Sequence, residues 1–321
     1  MPAPDDPGHA ASAAWLVADV GASHSRLALA TTDGLCEQSA QRVRNTDYPG
    51  FEQVVAQYLA HQDVRPTAIC AGVAGPVRDG ISRLTNLGWV IDAGTLASGS
   101  GIRRVHLIND LQAQAHALDD LKAPNVQTLF AGQPTLDGPR MVMGLGTGSN
   151  IAVAYRLNGA LFVPAAEAGH SGLPHLDDET NALITALERQ VSHKPYEALL
   201  SGPGLARLHR LRTGVEMTPT DIVAGYEISQ PACVQSLEMF ARILGAVMGN
   251  LALAHMSTGG VFLIGGLARA IALHLANLPF YESFVSKGPY RDIMQAMPIH
   301  IVSDDHAALL GCAQYLRAQR G

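Results

Sequence analysis

Apolar residues fall along this chain in two rhythms. Residues 15–20 (Trp-Leu-Val-Ala-Asp-Val), 67–74, 105–108 and 261–264 are nearly unbroken apolar runs of strand length. Such runs mark strands covered on both faces, as in a parallel sheet with helices above and below. Residues 51–61, 111–118, 178–190, 236–255 and 305–317 carry helical spacing instead, the last broken only by Gly311. Strand and helix in alternation predict an α/β protein. Shorter runs at 26–30, 141–143, 151–155 and 298–302 add further strands. Residues 124–140, with Gly132, Pro134, Gly138 and Pro139, read as turns.

Two strands run into small-residue turns and come straight back. Asp19 lies near the end of the first strand, Gly21-Ala22-Ser23-His24-Ser25 makes the turn, and residues 26–30 return. In the second half, 141–143 leads into Gly144-Leu145-Gly146-Thr147-Gly148-Ser149-Asn150, and 151–155 returns. Small residues leave backbone N–H groups able to face an anion, and Asp19 is placed to hold a hydrated magnesium. Either turn alone reads equally as an ordinary hairpin. Its recurrence in both halves predicts a duplicated domain closing on one phosphate chain. The glycines are not a dinucleotide fingerprint, because a strand rather than a helix follows.

The polar residues with chemical potential sit at the ends of these elements. Val105-His106-Leu107-Ile108-Asn109-Asp110 ends an apolar strand in a carboxylate at the mouth of a helix. Open α/β sheets bind ligands at such strand ends; the alternative is that Asp110 only N-caps the helix, worth about 1 kcal/mol. Glu167-Ala168-Gly169-His170 lies in a loop, and Glu197 precedes Ser201-Gly202-Pro203-Gly204, with one helix between them to make the return. Carboxylates beside an imidazole suit sugar hydroxyls, each of which offers a proton; they are equally at home as solvated surface groups. Trp89, just after Thr85-Asn86-Leu87-Gly88, is either a ligand wall or a plug. Gly265-Gly266 lets a helix or a flat ligand approach the backbone closely.

Composition narrows the class. With 321 residues, 47% hydrophobic and 16% charged, the chain has material for one large or two moderate cores. Its net charge of −6 comes with no basic stripe, so neither nucleic acid nor an anionic membrane is an expected partner. Cys36, Cys70, Cys233 and Cys312 form no CxxC and predict neither zinc nor disulfides. Residues 1–14 read as a frayed tail without a leader's positive charge. The apolar run near 243–256, interrupted by Asn250 and His255, reads as too short to span a bilayer. The expectation is a soluble cytoplasmic protein. No Walker lysine motif, His-Arg-Asp loop or nucleophile-elbow serine occurs, and no helix-turn-helix precedes Trp15.

Taken in order, the two glycine hairpins, Asn109-Asp110, Glu167 with His170, and Gly265-Gly266 resemble the bacterial non-repressor glucokinases. That family belongs to the sugar kinase and actin-like ATPase superfamily. The resemblance extends through Thr85-Asn86 with Trp89, residues 200–205, Gly259-Gly260-Val261-Phe262 and Leu309-Leu310-Gly311. It implies an α/β fold of two domains of actin-like ATPase (ribonuclease H-like) type, hinged about a central cleft. The small domain would be residues 15–121 completed by 306–321, and the large one 122–305. The implied activity is ATP-dependent phosphorylation of glucose at its 6-hydroxyl, with magnesium, commonly in a homodimer. Asp110 would match the general base, and Asn109, Glu167, His170 and Glu197, with Asp110, the residues around the sugar. Asp19, Gly21, Ala22, Ser23 and His24 would match the first phosphate segment, with Asp19 reaching Mg2+ through water. Gly146, Thr147 and Gly148 would match the second, and Gly265 and Gly266 would lie under the adenosine. A kinase for another hexose and a non-catalytic sugar-binding paralogue are the alternatives.

Several positions depart from the family pattern. The first loop usually reads Asp-x-Gly-Gly-Thr-Asn, whereas this chain has Asp19-Val20-Gly21-Ala22-Ser23-His24. A positive φ at Ala22 would cost about 1 kcal/mol against glycine. His24 brings a ring whose charge depends on pH. Asn150 stands where glycine is common, and Ala168 interrupts a frequent Glu-Gly-Gly-His.

Overall fold

The computed structural model describes residues 14–84, 87–189, 193 and 195–319. The expected tail and the pair Thr85-Asn86 lie outside the described residues, except Ala14, which is buried and accepts from the Thr67 N–H at 2.8 Å. The chain divides into two compact units, one of Met1–Asp119 with His306–Gly321 and one of Asp120–Asp305.

The first unit contains β1 (Trp15–Val20), β2 (His24–Thr31), β3 (Gly34–Arg44), α1 (Phe51–Ala60), β4 (Ala68–Val73), β5 (Val77–Arg78), β6 (Ile81–Leu84), β7 (Trp89–Asp92), α2 (Ala93–Ser100), β8 (Arg104–Asn109) and α3 (Asp110–His116). The second contains β9 (Val126–Phe130), β10 (Arg140–Leu145), β11 (Ser149–Leu157), β12 (Ala160–Phe162), α4 (Asp178–Glu188), α5 (Gly202–Thr213), α6 (Pro219–Glu227), α7 (Pro231–Ala254), β13 (Gly260–Ile264), α8 (Gly266–Ala272), α9 (Phe280–Val285), α10 (Arg291–Ala296) and β14 (Ile299–Val302). Helix α11 (Ala307–Ala318) returns to the first unit.

The first unit's sheet runs β3-β2-β1-β4-β8, with β1, β4 and β8 parallel and β2 and β3 antiparallel. Alternate residues of each central strand face opposite layers, which is why these strands are apolar throughout. Leu16, Ala18, Val20, Ile69, Ala71 and Val73 pack on α1 and α2; Trp15, Val17 and Cys70 pack on α11. Trp89, on β7, is 6% exposed and joins the first of these layers, so it is a core plug and not a ligand wall. β3 was not expected: it is an edge strand, and its largely exposed residues lack an apolar run.

The second unit repeats the plan. Its sheet runs β12-β11-β10-β13-β14-β9, again with an antiparallel hairpin (β10–β11) beside parallel strands β13 and β14. Residues 124–140 are not turns alone, because 126–130 form β9 and pair with β14. Helix α7 has 24 residues, longer than its pattern indicated. It is the one helix among the described residues long and apolar enough to cross a membrane, but 67% of its most apolar stretch is buried in the protein core. The expectation of too short a run is thereby corrected; burial explains the composition.

Candidate active site

In each unit the parallel strands of the sheet end on the side of that unit's own glycine hairpin, and that unit's candidate polar residues lie at that end. Asp19 of β1 pairs with Gly72 of β4, and Gly72 with Ile108 of β8. A Cβ on Gly72 would lie 3.1 Å from Ala113 Cβ and 3.6 Å from the Asp110 Cα. A bare glycine therefore lets α3 settle onto the strand next to Asp19, which brings Asp19 and Asp110 to one sheet end.

The helix carrying Asp110 starts differently from expectation. Asn109, not Asp110, is the N-cap: its Oδ1 accepts from Leu111 N at 2.9 Å, while Gln112 Oε1 accepts from Asn109 N at 2.9 Å. This reciprocal pair satisfies two backbone donors. Asn109 Nδ2 also donates to Gly75 O at 3.1 Å. Asp110 is left at the first helical position, its Oδ1 accepting from Leu111 N at 2.8 Å.

The first hairpin turn is held by a residue that the sequence did not disclose. Asn45 is fully buried; its Oδ1 accepts from Ser25 Oγ at 2.7 Å, its Nδ2 donates to Gly21 O at 2.8 Å, and its N–H donates to Ser23 O at 3.0 Å. Only its polarity, just past β3, could have signalled it. Ala22 is absent from the residues with positive φ, so the strain anticipated there does not arise. Among the described residues, no protein acceptor takes the N–H groups of Ala22, Ser23, Thr147 or Gly148. Unclaimed donors in a turn suit an anion. Local desolvation and the charges of Arg42, Arg44 and Arg26 hold His24 below the usual imidazole range. Asp19 is ion-paired to Arg26 at 3.1 Å through Oδ2; burial pushes its carboxyl up, against the pull of Arg26. A half-buried carboxylate with one oxygen engaged by Arg26 fits a water-bridged cation, and Mg2+ commonly binds through one or two carboxylates and substrate phosphates.

In the second unit the second glycine turn and the residues expected around the sugar share one cluster. Glu197 Oε2 accepts from Ser149 N at 2.9 Å, and a Cβ on Gly148 would come within 2.8 Å of that oxygen. Asn150 Nδ2 donates to Glu167 Oε2 at 3.1 Å. Gly169 packs so tightly that a Cβ there would collide with Ser149 O. Partial desolvation raises the pKa of Glu167, whose residue is otherwise exposed; His170 lowers it and Glu197 raises it further. Ser201 caps α5 and donates to Glu197 O at 2.9 Å, and Gly202 N donates to Gly146 O at 2.7 Å, so the 201–204 motif braces both Glu197 and the turn. Gly265 has φ +104°, and a Cβ there would strike the Leu145 backbone at the base of the same turn; Gly266 has open space beside it. The second-unit residues predicted for phosphate, adenosine and sugar are thus neighbours.

A family model for glucokinase matches residues 16–319. The chain belongs to the glucokinase family. It is 32% identical over 307 residues to a glucokinase from Caulobacter sp. strain K31, covering 93% of each chain. It is 30% identical over 314 residues to one from Psychromonas ingrahamii, covering 95% of this chain and 98% of the relative. Among solved structures, a glucokinase from an Antarctic psychrotroph superposes with a TM-score of 0.84 at 28% identity, covering 95% of this chain and 98% of that one. These likenesses carry the mixed α/β sugar-kinase fold over nearly the whole chain.

Proposed function

We propose that this glucokinase-family chain transfers the γ-phosphoryl group of ATP to the 6-hydroxyl of glucose, with Asp110 as the base. The observation that carries the reading is the sorting of residues by unit. One sheet end in the first unit offers Asp110 beside Asp19 and an anion-ready turn. The matching end in the second offers Glu167 and Glu197 tied to the other turn, with His170 beside Glu167. In this reading residues 15–121 with 306–321 and residues 122–305 are two hinged domains that close on sugar and nucleotide. The family resemblance supports homodimer assembly, and the composition supports a cytoplasmic location.

Phosphoryl transfer asks a protein mainly to align the nucleophile and offset charge on the phosphate. Asn109, Glu167, His170 and Glu197 hold the ring hydroxyls, and Asp110 takes the 6-hydroxyl proton as that oxygen attacks. The N–H groups of Ala22, Ser23, Thr147 and Gly148 meet phosphate oxygens, and Gly266 leaves room for the adenine. Asp19 would hold Mg2+ through water, and the ion would offset phosphate charge. Domain closure excludes water as a competing acceptor.

The test is Asp110→Ala with glucose, ATP and coupled ADP detection. Loss of a positioned general base lowers kcat about 10²–10⁴-fold, while glucose binding by calorimetry stays within roughly tenfold. Turnover retained in that variant refutes the base assignment. A hexose panel on the wild-type chain separates glucose from other sugars.

A further inference from the structure

From four hydrogen bonds around one amide we infer that Asn150 is a positioning residue for sugar binding, fixing the Glu167 carboxylate from the phosphate turn. The inference rests on the functional reading above. Asn150 Oδ1 accepts from Ile151 N at 2.8 Å and from Gly169 N at 3.3 Å. Those two backbone donors settle which end of the amide is oxygen. Its Nδ2 therefore faces the other way, donating to Ala166 O at 2.7 Å and to Glu167 Oε2 at 3.1 Å. One side chain thus grips the 166–169 segment on both sides of Glu167 and the carboxylate itself. A glycine at this position makes none of these bonds.

The preceding residue does the same for the other carboxylate, since Ser149 N donates to Glu197 Oε2. Two consecutive residues leaving the Gly146–Gly148 turn therefore aim both acidic groups. The family pattern described above has a glycine where this chain has Asn150, and glycine cannot make the bond that orients Glu167. Donation to an ionised acceptor is stronger than a neutral hydrogen bond and directional. It leaves Glu167 Oε1 to meet a sugar hydroxyl.

The test compares Asn150→Ala with Asn150→Asp in steady-state kinetics from pH 6 to 8, with thermal unfolding of each variant. Removing a hydrogen bond to a charged group is expected to raise the glucose KM about tenfold or more. The ATP KM and kcat are expected to stay near the wild-type values. Asn150→Asp keeps the acceptor for Ile151 and Gly169 but turns a carboxylate on Glu167. Positioning through the Glu167 bond predicts that it binds glucose worse than Asn150→Ala at pH 8 and recovers as the pH falls. A merely structural role predicts the reverse order at every pH, because the isosteric variant keeps the backbone bonds. That reverse order, or a glucose KM within twofold of wild type in both variants, overturns the assignment. A wild-type chain that makes no glucose 6-phosphate overturns the reading of the site instead.

Discussion

Asn45→Ala tests whether the first glycine turn, proposed above to meet phosphate, is built from the far side of the sheet. The substitution removes both side-chain bonds and keeps the backbone bond to Ser23 O. The Ser25 hydroxyl is fully buried and loses its acceptor, which costs about 1–3 kcal/mol. Gly21 is only half-buried, so water replaces part of its lost bond, at about 0.5–1.5 kcal/mol. The expected destabilisation of the first unit is therefore about 2–4 kcal/mol. Both tryptophans, Trp15 and Trp89, lie in that unit and are buried, so their fluorescence follows its unfolding in urea without a signal from the other. Ser25→Ala in the Asn45→Ala background removes the orphaned hydroxyl, so the double variant loses less than the two single variants added, by about 1 kcal/mol. The same turn carries Ala22 and Ser23, so the ATP KM rises while the glucose KM holds. Strict additivity, or a loss below about 0.5 kcal/mol for Asn45→Ala, refutes the staple.

Two further outcomes follow from packing and burial. Gly72→Ala places a methyl 3.1 Å from Ala113 Cβ and 3.6 Å from both Asp110 Cα and Cys312 Sγ; overpacking here costs about 1–3 kcal/mol. Because α3 gives way, kcat falls more than glucose affinity, and unchanged kcat in a destabilised variant separates packing from catalysis. His116 is buried edge-on against Tyr315, and desolvation lowers its pKa to about 4. The unfolded chain then binds more protons between pH 4 and 6.5, so stability falls as the pH drops through that window, by about 3 kcal/mol in all. His116→Phe is expected to flatten that slope in urea unfolding at pH 7 and pH 4.5, and an unaltered slope assigns the effect elsewhere.

The central strands were legible because being covered on both faces demands unbroken apolar runs, as in β1, β4, β8 and β13. Edge strand β3 has no such demand, and its Glu37, Gln38 and Arg42 face solvent. Helix α2, Ala-Gly-Thr-Leu-Ala-Ser-Gly-Ser, buries only Leu96 and is held by the Asp92 cap, so its sequence shows no amphipathic stripe. At the site, Asp110, Glu167 and Glu197 stood out by residue type and position at an element's end. The roles of their supports did not, because Asn45, Gly72 and Asn150 act across strands through contacts between residues far apart in sequence. The capping alternative weighed for Asp110 falls to Asn109 instead, since two adjacent capping residues leave the helix start ambiguous by one.

Helix α11 covers the face of the first sheet formed by Trp15, Val17, Ala28 and Cys70, with Gly311 lying against the Ala113 backbone of α3. Chain synthesis reaches this helix after every other element of the two units described above. The half that begins first thus waits on the ribosome with one apolar layer bare, while Asp120–Asp305 holds a contiguous core of its own. Folding during translation therefore finishes in the reverse of the usual N-to-C sequence. A messenger truncated shortly before the α11 codons is expected to yield a product whose second half keeps its own core and whose Asp110-bearing helix lacks the layer that α11 supplies.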